Sequence, residues 1–208
     1  MTAVAAVKPE TWTPRQGEVL EAALSLLVAG GDKLTMNGVA RIAHCSKETL
    51  YKWFGDRDGL LVATVQWQAA KVGVPRLDRA HLDARALGRV VEDFGRALLS
   101  VLASENSVAL NRVAVSHAGT TVPDLGTIVL QNGRLEMGRR LKPVLEAGRA
   151  VGLLRFADSE QAFRTFFGLV VRDVQIRLLL GDRWRPSEAE IDAEAKAAAE
   201  QFFALFGT

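Results

Sequence analysis

Residues 35–61 of this chain read TMNGVARIAHCSKETLYKWFGDRDGLL, and this stretch decides the fold. The pattern predicts two short helices joined by a tight turn and followed at once by the start of another helix. Thr35 and Ser46 each stand where a hydroxyl can accept from the free N–H groups of a helix's first turn. In the second helix, Leu50 and Phe54 lie one turn apart on a single apolar face.

The opposite face of that second helix predicts contact with a polyanion. It carries cations, hydroxyls and an aromatic ring on a short helix with an apolar back, which is typical of a DNA recognition helix. The alternative is a solvated face on an ordinary helical bundle, because exposed charges are what surface helices normally carry. Between Lys33 and Arg57, five cations face two acids, although the whole chain has a formal net charge of only +2. This local excess suits a phosphate backbone.

Residues 45–61 resemble the helix-turn-helix of TetR-family transcriptional regulators, and the match extends over about residues 15–70. In that family, a Ser-Lys-x-Thr-Leu-Tyr-x-x-Phe stretch leads into a fourth helix that begins with a basic residue. Three positions depart from the usual pattern. Gly38 replaces a common acidic residue, His44 stands in the turn where Gly is frequent, and Trp53 replaces a frequent His. His44 suits the turn because His is among the side chains that tolerate positive φ.

The candidate DNA-contacting residues divide into two groups. Single donors at the edges of the motif suit phosphate oxygens, whereas Lys47, Thr49 and Lys52 can reach base edges. Glu48 either accepts from cytosine N4 or repels the backbone. The full predicted set is Thr35, Ser46, Lys47, Glu48, Thr49, Tyr51, Lys52, Trp53 and Arg57.

The sequence predicts an all-α protein with a flexible tail at 1–13, a DNA-binding domain at 14–72 and a larger helical domain at 73–208. The first domain is expected to hold three helices of helix-turn-helix type, and the second to bind an effector and form the dimer. Pro14 suits the first turn of the first helix. The tail could instead be an arm that carries Lys8 into a neighbouring minor groove.

The second domain reads as helices without a convincing strand. Helices are predicted at about 84–103, 108–117 and 125–149, the last interrupted by glycines. Residues 158–180 are predicted as one helix that is apolar on every side, and Ser187 to Glu190 form a capping box that opens the last helix. Such helices suit a four-helix homodimer interface, which the resemblance also implies. Its predicted residues are Phe166, Val170, Val174, Ile191, Ala195, Ala198, Phe202 and Leu205.

The resemblance further implies an apolar effector pocket in the second domain. The predicted lining is Trp67, Phe94, Leu98, His117, Phe163, Phe167 and Asp173. Asp173 and Arg177, four residues apart, could instead form an ion pair within one helix. In the pocket reading, Arg172 or Asp173 supplies a polar contact to the effector.

Other chemistry is not indicated by the sequence. No cofactor, metal ligand set or catalytic residue is predicted, since His44, His81 and His117 are scattered and no nucleophile motif is present. Cys45 is either a filler of the small apolar slot at the turn or a redox sensor. A single cysteine suggests a reducing compartment, and no segment reaches the roughly 20 apolar residues of a membrane span. We therefore expect a cytoplasmic protein.

Together with the charged face of the recognition helix, the resemblance implies a ligand-responsive repressor. It would bind a near-palindromic double-stranded DNA operator as a homodimer and be released by a small apolar or aromatic effector. The alternative is an all-helical ligand-binding or enzymatic bundle without specific DNA recognition.

Overall fold

The structure, a computed structural model, describes residues 12–29, 34–74, 78, 81–119 and 124–208. Most of the predicted tail, with Lys8, lies outside them. Within the described ranges the chain is all-α, with one isolated antiparallel bridge between Leu154 and Gly207. The helices are α1 (Pro14–Val28), α2 (Met36–Ile42), α3 (Lys47–Phe54), α4 (Arg57–Ala70), α5 (Ala84–Ala103), α6 (Glu105–Ser116), α7 (Leu125–Val129), α8 (Leu135–Ala150), α9 (Ser159–Val171), α10 (Val174–Leu179) and α11 (Glu188–Phe206).

The chain divides into two compact units, residues 1–67 and 68–208. The boundary falls within α4, whereas the predicted boundary after residue 72 lies slightly further along and stays a prediction. None of the described helices is long and apolar enough to cross a bilayer.

The first unit is built around α1. Thr13 caps this helix through a capping box with Gln16, and Pro14 occupies its first turn as predicted. Thr13 is therefore the N-cap of α1. The buried residues of the unit include Val19, Leu20, Ala23, Leu24, Leu27, Leu34, Val39, Leu50, Phe54 and Leu60.

Close approach of α1 and α4 depends on the absence of a side chain at Gly17. A Cβ there would lie 2.8 Å from the Cη2 atom of Trp67. The indole N–H of Trp67 donates to Glu21 at 3.1 Å, which fixes the ring across α1. Trp67 is thus used by the packing of the first unit.

The core of the second unit is aromatic. Phe94, Phe163, Phe166 and Phe202 are fully buried there and come from α5, α9 and α11. Phe166 and Phe202 meet edge to face with their ring centroids 5.4 Å apart, a geometry that aromatic pairs favour. The predicted α5 has the observed bounds, and Ser187 and Glu190 form the predicted capping box of α11.

Two predicted helices are broken in the structure. The helix predicted over 125–149 contains a π-helical turn at Leu130–Arg134 between α7 and α8. The helix predicted over 158–180 ends at Val171, because Arg172 has a φ of 43° and leaves the helical conformation. The single helix over 158–180 is therefore wrong, and α10 is a separate short element.

Candidate functional sites

The turn between α2 and α3 is closed by local hydrogen bonds. Thr35 caps α2 and accepts from the Gly38 N–H at 3.0 Å. At the other end of α2, the Cys45 N–H donates to the Ala40 carbonyl at 3.0 Å, the six-to-one bond of a Schellman motif. This motif needs a left-handed residue, and His44 supplies it with a φ of 48°. The predicted tolerance of His44 for positive φ is confirmed.

Helix α3 presents the polar face that the sequence predicts. Ser46 caps it by accepting from the Thr49 N–H at 3.2 Å. Leu50 and Phe54 are buried against the first unit's core. On the opposite face, four side chains are exposed: Lys47, Glu48, Tyr51 and Lys52. Thr49 and Trp53 are half-buried. A short helix is therefore held by its apolar back with its charged front accessible.

Glu48 is ionised on this front. The backbone N–H of Glu48 itself and then the Ser46 hydroxyl stabilise the carboxylate, which lowers its pKa below the ordinary value of 4.5. A fixed negative charge beside Lys47 disfavours a phosphate at that point. Glu48 is thus better suited to accepting from a base amine than to lying against the backbone.

The junction between α3 and α4 is tight. Gly55 follows α3 with a φ of 79°, a conformation that favours glycine. The Asp56 carboxylate then accepts from the Gly59 N–H at 2.8 Å and so caps α4. A Cβ on Gly59 would lie only 2.0 Å from the Phe54 carbonyl oxygen. The start of α4 is therefore fixed against the end of α3.

Arg57 has a structural contact besides its predicted role. Its Nε donates to the Leu34 carbonyl at 2.9 Å, which joins the start of α4 to the segment that enters α2. Its Nη1 lies 3.6 Å from the Asp58 carboxylate, and 43% of the side chain remains exposed. The guanidinium can therefore contact an anion, but substitution would also remove a contact within the unit.

Arg15 stabilises the turn of the helix-turn-helix, although it lies outside the predicted set. From α1 it donates to the carbonyls of Ala43 and, at 3.2 Å, His44, the residues that end α2. These carbonyls have no partner within the helix, so an external donor stabilises the turn. The sequence of the turn indicates that its carbonyls need a donor. It does not indicate which cation supplies that donor, because Arg15 lies far from the turn along the chain.

Comparison with known proteins assigns the family. Residues 89–208 match a TetR C-terminal family described as AefR-like transcriptional repressor, C-terminal domain. A TetR transcriptional regulator from Agrobacterium tumefaciens is 46% identical and has a similar structure, with a TM-score of 0.76 over 95% of this chain and 96% of that one. The chain belongs to the TetR family of transcriptional regulators. This membership sets aside the enzymatic alternative, because TetR-family regulators are not enzymes.

Two further relatives bear on the TetR-family assignment. An uncharacterized HTH-type transcriptional regulator of Mycobacterium tuberculosis is 37% identical over 68 residues, which are 32% of this chain. That match spans about a third of the relative's length, 34%. The Flavonoid-responsive Regulator FrrA is 27% identical with a TM-score of 0.67, covering 93% of this chain and 97% of its own. TetR-family regulators bind DNA and dimerise, and their C-terminal domain holds a small-molecule ligand.

Several of the residues predicted to line the effector pocket have other contacts in this TetR-family protein, and the pocket itself stays a prediction. Phe94, Leu98 and Phe163 are packed in the core of the second unit. Trp67 belongs to the first unit. His117 ends α6, where its Nδ1 lies 2.9 Å from the Val113 carbonyl oxygen.

Asp173 forms an ion pair with Arg177, which is the alternative to a place in the pocket. Its carboxylate lies 3.9 Å from Arg177, and 66% of the side chain is exposed. Arg172 is likewise turned to an acid, Glu194, at 2.8 Å. Both residues are engaged at the surface, so neither supplies a polar contact inside the core.

The space beside Phe163 and Phe167 is taken by Arg134. Its guanidinium carbon lies 4.6 Å from the ring centroid of Phe163 and 4.3 Å from that of Phe167. Burial lowers the pKa of this guanidinium. The chain's own cation therefore covers the rings that were predicted to meet an effector.

The predicted dimer residues also need correction. Six of the eight are buried within this single chain, so they form its own core and leave no surface for a partner: Phe166, Val170, Ile191, Ala195, Ala198 and Phe202. They are among the most apolar positions of these helices, and the helices use them within the chain: α11 packs mainly on α5, and α9 packs mainly on α8 and α11. Val174 is half-buried and Leu205 is exposed.

The second unit contains a cavity of about 470 Å³ beside the end of α4. It is lined by Gln68, Lys71, Ala97, Ser100, Val101, Ser104, Glu105 and Asn106, none of which was predicted. The lining combines polar and apolar side chains, which gives no distinctive sequence pattern. Among the described residues, no group of three His, Cys, Asp or Glu residues could hold a metal ion. Cys45 is half-buried and unpaired by any disulfide.

Proposed function

We propose that this TetR-family regulator is a ligand-responsive repressor. It binds a near-palindromic operator as a homodimer through the front of α3 and is released by a small aromatic effector. The observation that carries the proposal is the geometry of α3, whose capped N-terminus and buried Leu50 and Phe54 leave Lys47, Tyr51 and Lys52 exposed on one helix. This is the arrangement by which a helix-turn-helix reads the major groove.

The candidate residues of the helix-turn-helix divide into those that contact bases and those that contact the phosphate backbone. Lys47, Thr49 and Lys52 read base edges, and Glu48 accepts from cytosine. The other members of the predicted set position the helix: Thr35, Ser46, Tyr51, Trp53 and Arg57 contact or support the phosphate backbone. Thr35 and Ser46 serve mainly as caps, because their hydroxyls already accept from the helices they begin.

A homodimer is supported by the exposed faces of α9 and α11. Gly168 is exposed on α9, and Ala193 and Ala204 are exposed on one stripe of α11. Small side chains allow the helices of two copies to approach closely, as a four-helix interface requires. An aromatic effector is supported by the flavonoid-responsive relative, which shares 27% identity over nearly its whole length.

The experiment that tests operator reading is a binding-site selection with the wild type and Lys52→Ala. If Lys52 contacts a base, the substitution relaxes preference at one position in each half-site and costs on the order of 1–3 kcal/mol. Because the reader is a two-fold dimer, the two relaxed positions lie symmetrically about the operator centre.

The matched control is Lys196→Ala, which removes a cation from exposed α11 in the second unit. This control should select the same sites as the wild type. A Lys52→Ala protein that also selects wild-type sites with wild-type affinity would show that the recognition surface lies elsewhere.

A further inference from the structure

Gln68 lines the cavity at the end of α4 and carries a buried acceptor without a donor. Gln68 is only 4% exposed. Its Nε2 donates weakly to the Ser104 hydroxyl at 3.5 Å. Its Oε1 is buried and accepts from no group among the residues that the structure describes.

An unpaired buried amide oxygen destabilises the fold, because it has lost its hydrogen bonds to water and has gained none within the protein. Buried polar groups are nearly always paired, so an unpaired one calls for a partner that the chain itself does not supply. A leucine at this position would fill similar space without that penalty. Gln68 therefore indicates a partner that donates to it.

The neighbouring groups restrict what that partner can be. The Ser104 hydroxyl already donates to the Val101 carbonyl at 2.7 Å and accepts from the Ser107 N–H at 3.2 Å. Lys71 and Glu105 bring one positive and one negative charge to the lining, so the cavity favours neither sign. Ala97 and Val101 supply apolar wall. A volume of about 470 Å³ is within the range of small-molecule sites.

We propose that this cavity binds the effector, and that the effector is a neutral molecule with a hydroxyl group that donates to the Oε1 of Gln68. This inference rests on the proposed function. It adds the residue that recognises the effector, Gln68, and the chemical group that is recognised, a hydroxyl. A site built around a hydrogen bond to a hydroxyl discriminates strongly against an analogue that lacks it, because the buried partner is then left unpaired.

The test uses three phenols, each paired with its methyl ether: phenol with anisole, 2-naphthol with 2-methoxynaphthalene, and 4-phenylphenol with 4-methoxybiphenyl. Affinities are measured by calorimetry in the absence of DNA. The ether keeps the ring and the oxygen but cannot donate. For at least one pair, the wild type should bind the phenol at least about tenfold more tightly than the ether.

Gln68→Leu should bring the ratio of the ether's dissociation constant to the phenol's close to one. It should also raise the melting temperature of the free protein, because the unpaired acceptor is gone. A purely structural role for Gln68 would give a lower melting temperature instead. Gln131→Leu, at an exposed position of the π-helical turn between α7 and α8, is the control and should keep the wild-type ratio.

If no pair is discriminated by the wild type, or if Gln68→Leu keeps the discrimination, the inference is overturned. Failure of the inference can be told apart from failure of the proposed function, because the proposed function is judged by DNA binding of the wild type. A protein that binds its operator but treats phenols and ethers alike would retain the proposed function and lose the assigned site.

Discussion

At the scale of single residues, the carboxylate of Glu136 holds two arginine side chains in place. It accepts from Arg139 at 2.7 Å and from Arg140 at 3.0 Å. Burial alone would raise the pKa of Glu136, but hydrogen bonds from the two arginines outweigh burial and hold it below 4.5. Arg140 in turn donates to the carbonyls of Ala69 and Val72, each at 2.9 Å. Glu136 therefore positions the cation that caps the end of α4.

This arrangement predicts a pH-dependent contribution to stability. Because the folded-state pKa of Glu136 is depressed, its stabilisation is present above about pH 4.5 and is lost as the pH falls through the folded-state value. Glu136→Gln should therefore be less stable than the wild type at pH 7, and the difference should shrink in acid. Urea unfolding between pH 3 and pH 7 measures it.

Glu146→Gln is the matched control, since it removes an acid from the same helix that pairs with Arg149 three residues on, at 2.6 Å. A pH-independent difference between the wild type and Glu136→Gln would contradict the role given to this carboxylate.

Residues whose roles are local can be predicted from the sequence. Thr35 and Ser46 are recognisable as caps, and His44 as a left-handed turn residue, because the chemistry lies within four positions of each. Arg15 and Gln68 cannot be identified in this way. Their partners lie about 28 and 36 positions away, so only the folded chain defines what they do.

At the scale of elements, the junction of α3 and α4 places a strict demand on Gly59. A methyl group there would meet the Phe54 carbonyl oxygen at 2.0 Å, and that oxygen belongs to backbone that cannot move without disturbing α3. Gly59→Ala should lower the free energy of unfolding of the first unit by more than about 1 kcal/mol and weaken operator binding. Thermal unfolding and a DNA titration measure the two effects.

Gly88 is the matched control. It lies inside α5, where an added Cβ would meet nothing within 4 Å. Gly88→Ala should stabilise the protein by about 0.5–1 kcal/mol, because alanine is the better helix former. Equal changes in the free energy of unfolding would mean that helix propensity determines the effect of Gly59→Ala, and that the close approach to the Phe54 carbonyl oxygen does not.

The predictability of elements follows the strength of their amphipathic pattern. Helix α5 buries one clear stripe, and its predicted bounds agree with those observed. The segment over 158–180 is apolar on every side, so no face marks where the helix stops, and the pattern does not reveal the backbone turn at Arg172. The same uniform apolarity makes core residues such as Phe166 and Phe202 resemble members of a dimer interface.

At the scale of the whole molecule, dimerisation can be tested at the exposed face of α9. A Cβ added at Gly168 would meet no atom within 4 Å, so a larger side chain fits the single chain. If this face meets a second copy, Gly168→Arg places bulk and charge between the helices and should yield monomers. Sedimentation velocity at several protein concentrations measures the change.

Gly88→Arg offers the corresponding control on α5, where the added side chain also meets open space. Dimers that persist in Gly168→Arg would place the interface on another surface. Val170→Asp and Phe202→Asp do not serve as tests, because both residues are buried in the chain itself and their substitution would disrupt folding.

The distribution of tryptophan gives the two units different optical signals. The chain has four tryptophans, of which Trp12, Trp53 and Trp67 lie in the first unit and Trp184 lies in the second. The centroids of Trp12 and Trp53 lie 6.1 Å from that of Phe54, at the buried back of α3. Intrinsic fluorescence is therefore dominated by the unit that reads DNA. With Trp184 replaced by phenylalanine, emission from this chain would report on that unit alone, without any attached dye.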